Sequence, residues 1–166
     1  SGIATAEGRA VGADTLQGCA CDDDFTVAAA APVGSVDLNG QDFEGIDTLS
    51  GLGGNDNFDL NAGFGGAVNG GDGTDEFFVN ATQAGTLDGG GGNDDFRPGG
   101  GVSAGVQGGG DSDELIGAAS ATAFALTGTN AGTAQNGGGT VTFASVENLT
   151  GNTGNDDLGV NFNLSG

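Results

Sequence analysis

The chain has 166 residues, 38 of them Gly, with 23 acidic side chains against two basic ones, Arg9 and Arg97, for a formal charge of −21. Large aliphatics are too few to cover helices, and Gly at this density costs backbone entropy, so a helical or α/β core is excluded. The charge excludes nucleic-acid phosphates and anionic membranes as partners, and no apolar run reaches membrane length.

Length alone points to one domain. Without counterions so acidic a chain sits near the disordered class. It suits divalent cations or a salty medium, and a salt-adapted surface would scatter its acids. Here they are grouped. The first residue is Ser rather than Met, which leads to the expectation of a processed or excised chain.

The chain opens on small residues and Ile3, then reaches Leu16-Gln-Gly-Cys-Ala-Cys-Asp-Asp-Asp-Phe25. Cys19 and Cys21 are too tightly spaced for an easy bridge to each other, so free thiols or a disulfide to another chain are expected. With no His and no further Cys, a structural zinc site is not expected.

The Leu16–Phe25 pattern recurs. Leu49–Phe58, Val68–Phe77, Leu87–Phe96, Val106–Leu115 and Leu149–Leu158 each place an aliphatic first, Gly third, Asp eighth and Phe or Leu tenth. The starts at 49, 68, 87 and 106 are 19 residues apart, which marks a repeat architecture. Residues 49–116 are the regular repeats, and 27–48 and 117–140 are irregular insertions or degenerate copies. Within the second, Leu126 either opens a degenerate copy with Thr133 at the Asp position, or the segment is a loop. The segments Phe43–Leu49 and Phe143–Leu149 re-enter the repeat with one pattern, Phe-x-x-aliphatic-acid-x-Leu.

Between these segments Phe58-Asp-Leu60, Phe77-Phe-Val79 and Leu158–Leu164 alternate with period two, as short strands do. A 19-residue unit holds two such strands and two turns, and buries its apolar face only by stacking on its neighbours. The expected fold is all-β, a parallel β-solenoid of about 19-residue rungs in one domain over 1–166, with one loop of the repeated kind per rung.

The segments Gly70–Phe78 and Gly89–Arg97 fit Gly-Gly-x-Gly-x-Asp-x-(large apolar)-x in full. The pattern resembles the nonapeptide of the RTX family of secreted, calcium-binding proteins. One copy per 19 residues is similar to the calcium-bound 19-residue repeats of giant bacterial adhesins, with Gly89–Asp94 and Gly151–Asp156 the nearest matches. Calcium takes six to eight oxygens, glycines aim carbonyl oxygens inward, and Asp adds charge. The resemblance implies calcium ligation by Asp56, Asp75, Asp94, Asp113, Asp156 and Asp23, with loop glycines and neighbours Gly70, Asp72, Gly89, Gly91, Gly108 and Gly110. It also implies an extracellular or cell-surface setting.

Three functions are compatible with this reading. The first is a structural or adhesive module that associates end to end with copies of itself or continues into neighbouring repeats of a longer chain. The second is ice binding, which needs a regular Thr array. Ala20, Gly53, Asp72, Gly91, Gly110 and Thr153 fill the relevant position, so it is disfavoured. The third is the secretion-linked tail of a larger enzyme or toxin. No nucleophile–base pair or Gly-x-Ser-x-Gly elbow is present, and one acid of Asp94-Asp95 is assigned to calcium, so catalysis within the chain is not expected.

Overall fold

The computed structural model describes residues 5–6, 13–28 and 35–160. Ile3, Arg9, Phe162 and Leu164 lie outside them. Among the described residues there is no helix. In chain order the strands are β1 Thr5–Ala6, β2 Thr15–Gln17, β3 Asp24–Val27, β4 Val36–Leu38, β5 Gln41–Phe43 and β6 Thr48–Gly53. Then come β7 Asn57–Leu60, β8 Ala67–Asp72, β9 Glu76–Val79, β10 Thr86–Gly91, β11 Asp95–Pro98 and β12 Ala104–Gly110. Last are β13 Glu114–Ile116, β14 Thr122–Gly128, β15 Ala131–Asn136, β16 Gly139–Ala144, β17 Asn148–Thr150 and β18 Asp157–Val160.

They form two mostly parallel sheets. The first sheet is ordered β1-β2-β6-β8-β10-β12-β16-β15-β14-β18, and the second β17-β13-β11-β9-β7-β3-β4-β5. From β6 to β13 the chain alternates between the sheets at every strand, so each 19-residue unit adds one strand to each.

The repeat pattern explains this alternation. The first position of each copy forms a column in the first sheet, pairing Leu16, Leu49, Val68, Leu87 and Val106 in register. The tenth position forms a column in the second sheet through Phe25, Phe58, Phe77, Phe96 and Leu115. Each of these ten side chains is buried in one apolar cluster drawn from both sheets. The four phenylalanines stack face to face, with ring centroids 4.8, 4.9 and 4.6 Å apart. Burying each ring contributes roughly 1.5–3 kcal/mol, and each stacked pair adds about 0.5–1.5 kcal/mol.

The irregular segments depart from the parallel pattern. Within 27–48, β4 and β5 make an antiparallel hairpin on the free side of β3. Within 117–140, β14, β15 and β16 run antiparallel to one another. Leu126 therefore opens no further repeat. It pairs with Gly132 across a hairpin, and Thr133 faces Ala125. The two re-entry segments also differ in place. Leu49 joins the first sheet, whereas Phe143 takes the first-position column opposite Val106 and Leu149 the tenth-position column opposite Leu115.

Candidate metal centre

The loops that leave the first sheet for the second lie along one edge of the molecule. In each, the Asp two residues before the tenth-position Phe or Leu points inward, because the strand alternation that buries Phe58 buries Asp56 as well. Asp23, Asp56, Asp75, Asp94 and Asp113 are all buried, the last four at 1% exposure or less, as deeply as the core Phe residues. Together they form a ladder. The Asp23 N–H donates to Asp56 Oδ1 at 2.8 Å, Asp56 N–H to Asp75 Oδ1 at 2.8 Å, Asp75 N–H to Asp94 Oδ1 at 2.9 Å, and Asp94 N–H to Asp113 Oδ1 at 3.0 Å.

The second oxygen has no such partner. Oδ2 of Asp56, Asp75, Asp94 and Asp113 is buried without any hydrogen-bond donor. It faces the third-position Gly of its own loop. A Cβ on Gly70 would overlap Asp75 Oδ2 and lie 2.6 Å from the Gly89 carbonyl oxygen; on Gly89 it would overlap Asp94 Oδ2 and lie 2.5 Å from the Gly108 carbonyl oxygen. Each uncompensated carboxylate oxygen thus shares the space beside a glycine with a carbonyl oxygen of the next repeat or, for Asp113, of Ser145. Only Gly leaves that space open.

No basic side chain neutralises the ladder among the described residues. Arg97 is on the outer face of the second sheet, paired with Glu76 at 3.1 Å and Asp95 at 2.7 Å. Burial, opposed in part by the N–H bond from the preceding repeat, pushes Asp56 and Asp94 up to about 7 and Asp113 up to about 6. It raises Asp75 as well. The arrangement can take up protons or an oxygen-seeking cation. An all-oxygen donor set with buried, unpartnered carboxylate oxygens fits a hard cation such as calcium.

Of the residues expected as ligands, Asp56, Asp75, Asp94 and Asp113 come together with Gly70, Gly89 and Gly108. Asp72 is exposed, and its carbonyl accepts the Gly54 N–H at 2.9 Å; the Gly91 carbonyl accepts the Gly73 N–H at 2.7 Å. Gly110 is exposed in the same loop position. Asp23 differs, because both its oxygens are engaged. Oδ2 accepts the Cys19 N–H and Oδ1 the Asn39 side-chain amide, both at 2.6 Å.

Cys19 and Cys21 correct the expectation drawn from their spacing, for they are bonded to each other. The loop bends at Ala20 and brings their Cα atoms to 5.2 Å, inside the usual range of about 4.4–6.8 Å for a disulfide. They occupy the fourth and sixth loop positions. In the next three loops the sixth is a Gly with left-handed φ, at 120° for Gly54, 140° for Gly73 and 116° for Gly92.

Asp156 stands apart from the ladder. Its loop runs from β17 in the second sheet to β18 in the first, the reverse direction, so it lies on the opposite edge. Asp156 is exposed, and its Oδ1 accepts the Thr122 N–H at 2.9 Å.

Two participants do not match the repeated motif. Glu147 ends the ladder, its Oε2 accepting the Asp113 N–H at 3.0 Å, in a loop too short for the ten-residue pattern. Thr122 takes the Asp position in Leu115-Ile-Gly-Ala-Ala-Ser-Ala-Thr-Ala-Phe124, where its hydroxyl accepts the Ala118 N–H at 3.1 Å. The first-, third- and tenth-position residues of that copy, Leu115, Gly117 and Phe124, were the available signal.

Fold and site define an all-β chain of two mostly parallel sheets with an internal acidic ladder along one edge. No family model, no curated protein and no solved structure matches it.

Proposed function

We propose that the chain is an extracellular, calcium-binding β-solenoid whose role is structural or adhesive. One observation carries this reading. Four successive repeats each bury a carboxylate oxygen that has no donor, beside a carbonyl of the neighbouring repeat or segment. Such a group is costly unless a proton or cation compensates it. Asp56, Asp75, Asp94 and Asp113 would hold calcium, with carbonyl oxygens of Gly70, Gly89 and Gly108. When bound, the ion supplies positive charge that offsets the ladder's self-repulsion. Because the sites are absent in the unfolded chain, binding adds to folding stability.

Circular dichroism tests this reading. At neutral pH, chelator should abolish the strand signal and millimolar calcium restore it. An unchanged strand spectrum in chelator, with no calcium uptake by calorimetry, would overturn the calcium reading.

The proposed structural role involves association of copies end to end. The outer strand β18 carries Leu158 at 57% exposure, and an edge strand with an exposed apolar side chain favours pairing. Light scattering of the intact chain in calcium should show assemblies that a version truncated after Asp157 does not form. A monomer at high concentration would leave a calcium-bound module without self-association.

A further inference from the structure

The first loop contains chemistry that the ladder lacks. Cys19 Sγ, Cys21 Sγ and a carboxylate oxygen of Asp23 all lie within 4.8 Å of one another. In the closed disulfide the sulfurs offer no thiolate, so the disulfide and a metal site at these residues are mutually exclusive. We propose that, once the disulfide is opened, Cys19, Cys21 and Asp23 form a thiolate–carboxylate site for a thiophilic divalent cation of the zinc class.

Asp23 is held in place for such a role. Asp23 is buried, and the Cys19 N–H and the Asn39 amide fix its carboxylate at 2.6 Å each. Its Oδ1 stands 3.7 Å from Cys19 Sγ. Hydrogen-bonded carboxylates of this kind are typical of metal ligands oriented by a second layer of donors. Half-buried Cys19 and exposed Cys21 give a metal ion access from solvent and leave a coordination position for water. Sulfur donors favour zinc-class ions over calcium, so this site differs in chemistry from the oxygen-only ladder.

A phosphine reductant supplies the two electrons and takes the oxygen of one water to become its oxide, and that water's two protons leave Cys19 and Cys21 as thiols. Both thiol protons then pass to solvent as the metal–sulfur bonds form. The proposal is independent of the calcium reading, because its readout is a metal–sulfur signal.

The test uses the full chain in saturating calcium, reduced with a phosphine that is then removed, and titrated with cadmium as the spectroscopic probe. The reduced chain should develop the ultraviolet thiolate-to-cadmium charge-transfer band, complete at one ion per chain. The unreduced chain should show none. Asp23→Asn should keep the band but require on the order of tenfold more cadmium to reach it. If Asp23→Asn loses the strand spectrum, Cys21→Ser serves instead, with an expected loss of half the band and weaker binding. No band after reduction, a band complete at half an ion per chain, or unchanged titration in both variants would overturn the proposal.

Discussion

Two edges of one molecule carry loops of the same sequence pattern, yet only one buries its acids. Along the first edge, loops stack from Asp23 to Asp113 and end at Glu147, so each Asp donates its backbone N–H to the next carboxylate. On the second edge the N–H groups of Thr122 and Asp14 donate in this way to Asp156 and Asp47, and both of these carboxylates are left exposed. Local sequence is shared: Gly-Asn-Asp occurs at both Gly92–Asp94 and Gly154–Asp156. What differs is the number of neighbours above and below. Along the ladder a carboxylate is buried where neighbouring segments cover it on both sides.

The largest expected effect comes from filling the space beside a ladder carboxylate. Gly89→Ala places a Cβ against Asp94 and 2.5 Å from the Gly108 carbonyl, backbone that cannot move aside without breaking register. We expect a loss of about 3 kcal/mol, read from the denaturant midpoint in calcium. For Gly151→Ala the nearest atoms belong to the side chain of exposed Asp156, whose carboxylate can rotate away, and the change should alter stability by less than about 0.5 kcal/mol. Equal losses would erase the distinction between the edges.

Next in size is removal of the carboxylates themselves. Asp94→Ala leaves the buried Asp75 N–H without its acceptor, a cost of about 1–3 kcal/mol. It should also raise the calcium concentration at half-folding severalfold. Asp156→Ala should shift that midpoint less. Matching midpoints for the two variants would count against a coupled ladder.

Proton dependence gives a smaller and graded test. Asp56 and Asp94 are raised in the folded chain from 3.8 to about 7, so protons bind the folded form more tightly than the unfolded one. The stability this contributes is complete below about pH 4 and is lost as pH rises through about 7. In chelator, the strand signal that is absent at neutral pH should therefore return in part as pH falls from 7 toward 4. Calcium bound as proposed would compete with the same protons, so its apparent affinity should weaken over that range. A chelated chain that gains no strand signal on mild acidification would contradict the burial of these groups.

The smallest effect belongs to the outer face. Arg97 pairs with Glu76 and Asp95 at partly exposed positions, where ion pairs contribute about 0–1 kcal/mol. Arg97→Gln should alter thermal stability only slightly and leave the calcium midpoint unchanged. A large shift in calcium response would mean that charge on the outer face governs the ladder.

The sequence by itself determined much of the regular region. Aliphatics at the first position and Phe or Leu at the tenth, 19 residues apart from 49 to 106, specify two strands per unit that bury their faces only by stacking. The four central ladder residues, Asp56, Asp75, Asp94 and Asp113, were legible for the same reason. An Asp two residues before a buried Phe or Leu shares its face of the strand.

Tertiary structure decided the rest. Leu115 ends one loop in the second sheet and begins another, so a loop of the repeated pattern takes the place of the usual return segment and crosses from the second sheet to the first. The antiparallel strands β14, β15 and β16 then keep the chain in the first sheet, and the short Phe143–Leu149 crossing carries it to β17. The Asp156 loop consequently starts from the second sheet, and its motif arrives on the other edge. A linear motif records which side chains share a strand face, but not the parity of the crossings before it. Nor does it record how many neighbours will cover a carboxylate, and that count separates a buried acid from an exposed one.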